Sequence, residues 1–140
     1  MALLDTSTEF GQRAERRLRE EKLAWLTTVD RAGTPRPVPV WFLWDGEESV
    51  LIYSRPGTPK LRAIAGNPRV SLNLDGDGNG GDIVVALGEV VESDDRPAHE
   101  VPEYLEKYRP LIERNGWTPE SFAADYSVPI RLTVRRVRGH

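Results

Sequence analysis

The chain of 140 residues has no cysteine, one methionine and two histidines. Without cysteine there are no disulfides, no thiolate metal sites and no thiol nucleophile. His99 and His140, the second of them the last residue, leave little from which to build a histidine-rich metal centre or a serine–histidine–aspartate triad. No apolar run approaches the roughly 20 residues of a membrane-spanning helix. The N-terminus lacks the apolar stretch of a secretory leader. Neither sign of charge dominates: 19 Lys and Arg stand against 22 Asp and Glu, for a net charge of −3. That balance argues against a general nucleic-acid coat and leaves room for a local basic pocket. The expectation is one soluble, cytoplasmic domain spanning 1–140, with no metal, no membrane and no nucleic-acid partner. A chain of this length can bury a core without covalent staples.

The pattern along the chain alternates strands with short helices. Thr6 and Glu9 have capping-box spacing, and Phe10, Ala14 and Leu18 follow at helical period. Leu23 to Val29 reads as a strand that ends in the turn Asp30-Arg31-Ala32-Gly33. Pro35 to Asp45 alternates strictly, with Val38, Val40, Phe42 and Trp44 on one face. Pro35, Pro37 and Pro39 give that strand an edge or a broken ladder at its start. Asp45-Gly46 predicts a hairpin returning through Ser49 to Ser54. Thr58-Pro59 opens a helix that Gly66 and Asn67-Pro68 stop.

Arg69 to Leu74 and Ile83 to Glu92 are strands on either side of a glycine-rich turn. A helix follows on Tyr104, Leu105, Tyr108, Leu111 and Ile112, with Pro110 expected to bend or restart it. Thr118-Pro119 opens another, and Val128 to Val137 is the last strand. About six strands at hairpin spacing predict a mainly β fold, an antiparallel barrel with short helices.

Two motif matches in the glycine-rich turn fail on context. Asp75, Asp77, Asn79 and Gly80 begin like a calcium loop, but the twelfth position is Ala86 and the flanks are strands. Gly76, Gly78 and Gly81 fit a dinucleotide fingerprint, which requires a helix next; Ile83 to Leu87 is a strand. The informative stretch is Tyr53 to Lys60. A strand ends at Ser54-Arg55, and a glycine turn leads into a helix with Lys60 in its first turn. A cation is disfavoured there by the helix dipole, and a bound anion would relieve the conflict. Ser54 adds a hydroxyl, and Arg55 a planar fork suited to phosphate oxygens. The plain alternative is that Arg55 and Lys60 are ordinary exposed charges. Along Pro37-Val38-Pro39-Val40-Trp41 a flat aromatic ligand could lie, although Val38, Val40 and Phe42 also fit simple core positions.

In their order, these segments resemble the split β-barrel flavin- and deazaflavin-binding proteins of the pyridoxamine 5′-phosphate oxidase-like superfamily. The matching pieces are Leu26 to Pro35, Pro37 to Phe42, Tyr53-Ser54-Arg55 with Lys60, Asn67 to Leu72, Ile83 to Val90 and Ile130 to Gly139. Among the branches, the chain looks most like the small enzymes that use coenzyme F420. The resemblance implies a split antiparallel barrel and a homodimer with cofactor sites at the subunit interface. It implies that Ser54, Arg55 and Lys60 hold the cofactor phosphate, and that Pro37, Val38, Pro39, Val40 and Trp41 line the ring.

The function so implied is an F420-dependent reductase passing a hydride to a small conjugated or carbonyl-type substrate. The cofactor would carry the chemistry, which suits a chain with so few reactive side chains. No catalytic side chain is evident. An FMN-binding oxidoreductase and a non-catalytic protein that carries the cofactor or binds heme are the alternatives. Arg31, Arg36, Arg62 and Arg69 are the candidates for an acidic cofactor tail.

Overall fold

The structure, a computed structural model, describes residues 3–140. Helix α1 (Glu9–Glu20) leads into strands β1 (Ala24–Val29), β2 (Pro35–Val40), β3 (Leu43–Trp44) and β4 (Ser49–Ser54). Helix α2 (Pro59–Gly66), β5 (Arg69–Asn73) and β6 (Val84–Glu92) follow. A short 3₁₀ turn at Ala98–Glu100 precedes α3 (Pro102–Arg114), α4 (Pro119–Asp125) and β7 (Val128–Gly139). The seven strands make one sheet in the order β2-β1-β5-β6-β7-β4-β3, and every pairing is antiparallel. The sheet curls into a half-barrel; the strand pattern predicted an antiparallel barrel, and the resemblance the split form of it.

The elements begin and end for local reasons, and three differ from the sequence expectation. Helix α1 is capped by Thr8, whose Oγ1 accepts from Gly11 N at 3.0 Å, and not by Thr6. Asp5 accounts for the shift: its carboxylate accepts from Ser7 N and its carbonyl from Thr8 N, so one tight turn is completed before the helix starts. The strand expected over Pro35 to Asp45 breaks at Trp41-Phe42, giving β2 and β3 in place of one element. Helix α3 runs unbroken through Pro110.

β2 lies at one edge of the sheet. Its ladder with β1 pairs Arg36 with Thr28, Val38 with Leu26 and Val40 with Ala24. Backbone groups of alternate residues point to opposite sides of an antiparallel strand. Proline cannot donate, so Arg36, Val38 and Val40 serve β1 while Pro35, Pro37 and Pro39 turn to the open edge.

Two apolar clusters fill the fold. The larger lies within the curl of the sheet and includes Leu18, Leu26, Phe42, Ile52, Leu72, Val90, Ile130 and Leu132. The smaller joins the outer face of β4 to α3 and α4 through Leu51, Tyr53, Tyr104, Tyr108, Ile112 and Phe122. Every residue of β4 is therefore buried, since it is covered on both faces. Arg17, itself buried, donates to the carbonyls of Asp82 and Asp75 and ties α1 to the glycine-rich turn. Within that turn the Asp77 carboxylate accepts from Asn79 N and Gly81 N, a capping role.

The longest pairing, β6 with β7, slips register between Leu87 and Gly88. A Cβ at Gly88 would lie 2.0 Å from the Thr133 carbonyl oxygen, a backbone atom that cannot move aside. Gly88→Ala is therefore expected to destabilise the fold by about 2 kcal/mol or more, the scale of forced overpacking. Urea denaturation checks this, and an unchanged midpoint would show that the strands can part there freely.

Candidate functional site

The turn between β4 and α2 places the anion-site residues predicted from sequence within one short segment. Ser54 is completely buried at the end of β4. Its Oγ donates towards the Arg55 carbonyl at 2.9 Å and lies 3.2 Å from Thr58 Oγ1. Gly57 has φ +70°, a conformation that favours glycine and sets the turn into α2. Arg55 is exposed, and its guanidinium rests over the Tyr126 ring at 5.1 Å. Lys60 is half-buried, and loss of solvent lowers its pKa from the ordinary value. A lysine penalised by burial, at the positive end of a helix, is a charge in want of an anion.

The helix start offers fewer backbone donors than the sequence alone suggests. Thr58 is the N-cap but makes no side-chain cap bond, because its hydroxyl faces Ser54. Pro59 has no N–H, and the N–H groups of Leu61 and Arg62 both point to the Thr58 carbonyl at 3.2 and 3.3 Å. The donors that this turn offers to a candidate anion are the Lys60 backbone N–H and the Ser54, Arg55 and Lys60 side chains. Arg62 supports the turn, donating from Nη1 to the Gly57 carbonyl at 2.7 Å. Arg36 is occupied with Asp30 at 3.5 Å. Arg69 is exposed at the start of β5, and register puts it at the same end of the sheet as Arg36: Thr27 pairs with Ser71, and Thr28 with Arg36.

The second predicted segment, Pro37 to Trp41, divides by environment. Pro37 and Pro39 are exposed, Val38 is half-buried, and Val40 is buried in the main core. Trp41 leaves the strand and stacks on Tyr108 at 4.7 Å and on Phe122 at 5.3 Å. Phe122 in turn stacks on Tyr126 at 4.7 Å, the ring beneath Arg55. An unbroken series of aromatic contacts thus joins Trp41 to Arg55 through α4 and the residue after it. Of the other tryptophans, Trp44 is buried and bonded to Glu15, and Trp25 is half-buried against Asp75.

The helical segment from Tyr104 to Asp125, which had no functional reading in the sequence, proves to build one wall of this region. It also explains the break in the strand. Phe42 N donates to Tyr108 Oη at 2.8 Å. The Phe42 carbonyl accepts from Lys107 Nζ at 2.8 Å and lies 3.0 Å from Tyr108 Oη. The Lys22 carbonyl is also within 2.8 Å of that hydroxyl, whose single proton serves one carbonyl at a time. Side chains of α3 have taken the place of a neighbouring strand. The signal available in the sequence was Tyr104 and Tyr108 at helical spacing; nothing pointed to Lys107.

Lys107 is buried, and its Nζ stands 3.9 Å from the centre of the Phe42 ring. Burial first, and the nearby Lys22 second, bring its pKa down from 10.5 to about 7. It lies on a cleft of about 710 Å³ whose walls include Leu43, Leu51, Val101 and the Asp95–Arg131 pair. Between about 7 and 10.5 the unfolded chain holds a proton that folded Lys107 has given up, so stability rises with pH across that window and the cost is fully present below it. Lys107→Met removes this dependence. Urea denaturation over the same pH range should show the wild type losing about 1–3 kcal/mol against the variant as pH falls towards 7. Parallel pH profiles would contradict the assignment.

A curled antiparallel sheet with short helices and a cationic strand-to-helix turn defines the chain as a split β-barrel protein. A family model described as pyridoxamine 5′-phosphate oxidase matches residues 10–140, and the chain belongs to that family. Among solved structures it is similar to an F420 reductase, with 27% identity and a TM-score of 0.65 over 89% of this chain and 94% of that one. It is similar to an FAD-binding protein from Mesorhizobium loti, at 23% identity and a TM-score of 0.63 over 90% and 88% of the two chains. A conserved hypothetical protein from Mycobacterium tuberculosis has 20% identity and a TM-score of 0.67 over 94% and 82%. These last two likenesses concern the fold. Comparison with curated protein sequences finds no match. No helix among the described residues is long and apolar enough to cross a membrane.

Proposed function

We propose that the protein is an F420-dependent reductase that works as a homodimer on small conjugated or carbonyl-type substrates. The observation that carries the reading is a half-buried Lys60 at the start of α2, within seven residues of the buried Ser54 hydroxyl and of Arg55, donors suited to an anionic phosphate. The likeness to an F420 reductase favours the deazaflavin over FMN. When bound, a deazaflavin would supply a hydride to the substrate.

The chain's own residues would bind and orient. Lys60 and Arg55 would neutralise the phosphate, and Tyr126 holds Arg55 in place from beneath. Ser54 can turn its proton from the Arg55 carbonyl to a phosphate oxygen. Pro37, Val38, Pro39, Val40 and Trp41 would border the ring. On the open edge of β2 the prolines offer carbonyl acceptors without donors, which suits a ring edge bearing an N–H. The split-barrel proteins that this chain resembles place cofactor sites at a subunit interface, which is the ground for the homodimer in this reading.

Titrating purified protein with coenzyme F420, FMN and FAD while following fluorescence tests the reading. The deazaflavin should bind most tightly. Arg55→Ala and Lys60→Ala should each weaken it by about 1.5–3 kcal/mol, the scale of a charge-assisted hydrogen bond. Affinity should also fall as pH rises through the pKa of Lys60, since the anion prefers the protonated amine. Tighter FMN binding would shift the assignment to a flavin enzyme, and unchanged affinity in both variants would remove the site.

A further inference from the structure

We propose that Lys107 is a reactive amine, a covalent site at which a small aldehyde with an apolar body condenses from the cleft beneath α3. This is separate from the cofactor reading and requires no bound cofactor. Lys107 is one of only three lysines in the chain and is set apart by its surroundings. Its amine lies between the Phe42 ring and the Phe42 carbonyl. None of the ion pairs among the described residues includes it. Lys107 lines a cleft that sets Leu43, Trp44, Leu51 and Val101 among charged residues, so an aldehyde with a short apolar body has both a surface to rest on and a buried amine at hand.

Burial lowers its pKa most, and the charges around it act in second place. Lys22 faces it and disfavours the cation, while Glu21 favours it. Arg19 and Glu20 reach the cleft from the end of α1, Asp45 from beyond β3, and Glu103 and Glu106 from α3 itself. Asp95 and Arg131 line it as well but satisfy each other at 2.7 Å. The outcome is a pKa of about 7, so a large fraction of the amine is neutral at neutral pH.

In the step proposed, the Nζ lone pair attacks the aldehyde carbon, a C–N bond forms, and the carbonyl electrons pass to oxygen, which takes up a proton. The carbinolamine then loses water to give the imine. One amine and one aldehyde yield one imine and one water, with no change of oxidation state. The protonated imine keeps one N–H, which can still donate to the Phe42 carbonyl.

Reductive trapping tests this. The full-length protein is treated with pentanal and cyanoborohydride near pH 7, and adducts on the three lysines are followed by peptide mapping. Lys107 is expected to label about tenfold or more faster than Lys22 or Lys60, since a gain in neutral amine outweighs the accompanying fall in nucleophilicity. Its rate should level off about one pH unit above its pKa, and in urea-unfolded protein the three lysines should label alike. Lys107→Arg, which retains a cationic donor, should abolish the fast adduct. Labelling of Lys22 or Lys60 at the same rate in the folded protein, or a folded protein unlabelled at Lys107, would overturn the proposal. Should the Arg variant fail to fold, the comparison of native and unfolded wild type decides the matter.

Discussion

The backbone of Phe42 is the point on which the architecture turns. A buried peptide group must find partners, and at this position the sheet supplies none. Tyr108 accepts from the N–H, and Lys107 covers the carbonyl. Because those partners sit on α3, the chain can leave β2, turn, and begin β3 at the opposite edge of the sheet without stranding a polar group in the core. The same pair of side chains fixes α3 against the barrel, and α3 with α4 then carries the aromatic series that reaches Arg55. One local need for hydrogen bonds thus links the strand break, the helical cover and the rim of the candidate cofactor site.

The cost of this solution is a buried amine. An uncharged donor would have satisfied the carbonyl with less desolvation, yet the fold retains a lysine with a second lysine nearby. Buried ionisable groups that lack a counter-ion are rare away from functional sites. Besides covering the Phe42 carbonyl, Lys107 lies at the boundary between the core and a cleft, and the proposed covalent role rests on that position.

Most of the framework could be read from the sequence because it rests on short-range rules. Alternation located β5 and the one-sided pattern of Ile130, Leu132 and Val134 located β7, an apolar β-branched run located β1, turn residues framed β4 and β6, and Thr58-Pro59 and Thr118-Pro119 marked two helix starts. The candidate anion site could be put forward from the sequence because Ser54, Arg55 and Lys60 fall within seven residues of one another. What escaped depended on contacts remote in sequence. Phe42 and Tyr108 are separated by 66 positions, so alternation through Trp44 looked uninterrupted. The chain of rings from Trp41 to Tyr126 has the same character. Even the α1 cap was missed because a competing side chain, Asp5, made its own turn first.

The three prolines on the rim of β2 also bear on how the molecule behaves in a crowded solution. A strand arriving from another polypeptide would meet oxygen after oxygen along that border and nowhere an N–H to match its own carbonyls. Half of any intermolecular ladder would be lost, so growth into fibrillar assemblies is discouraged along the β2 margin of the curled sheet. Any association through that border must rely on shape and side chains.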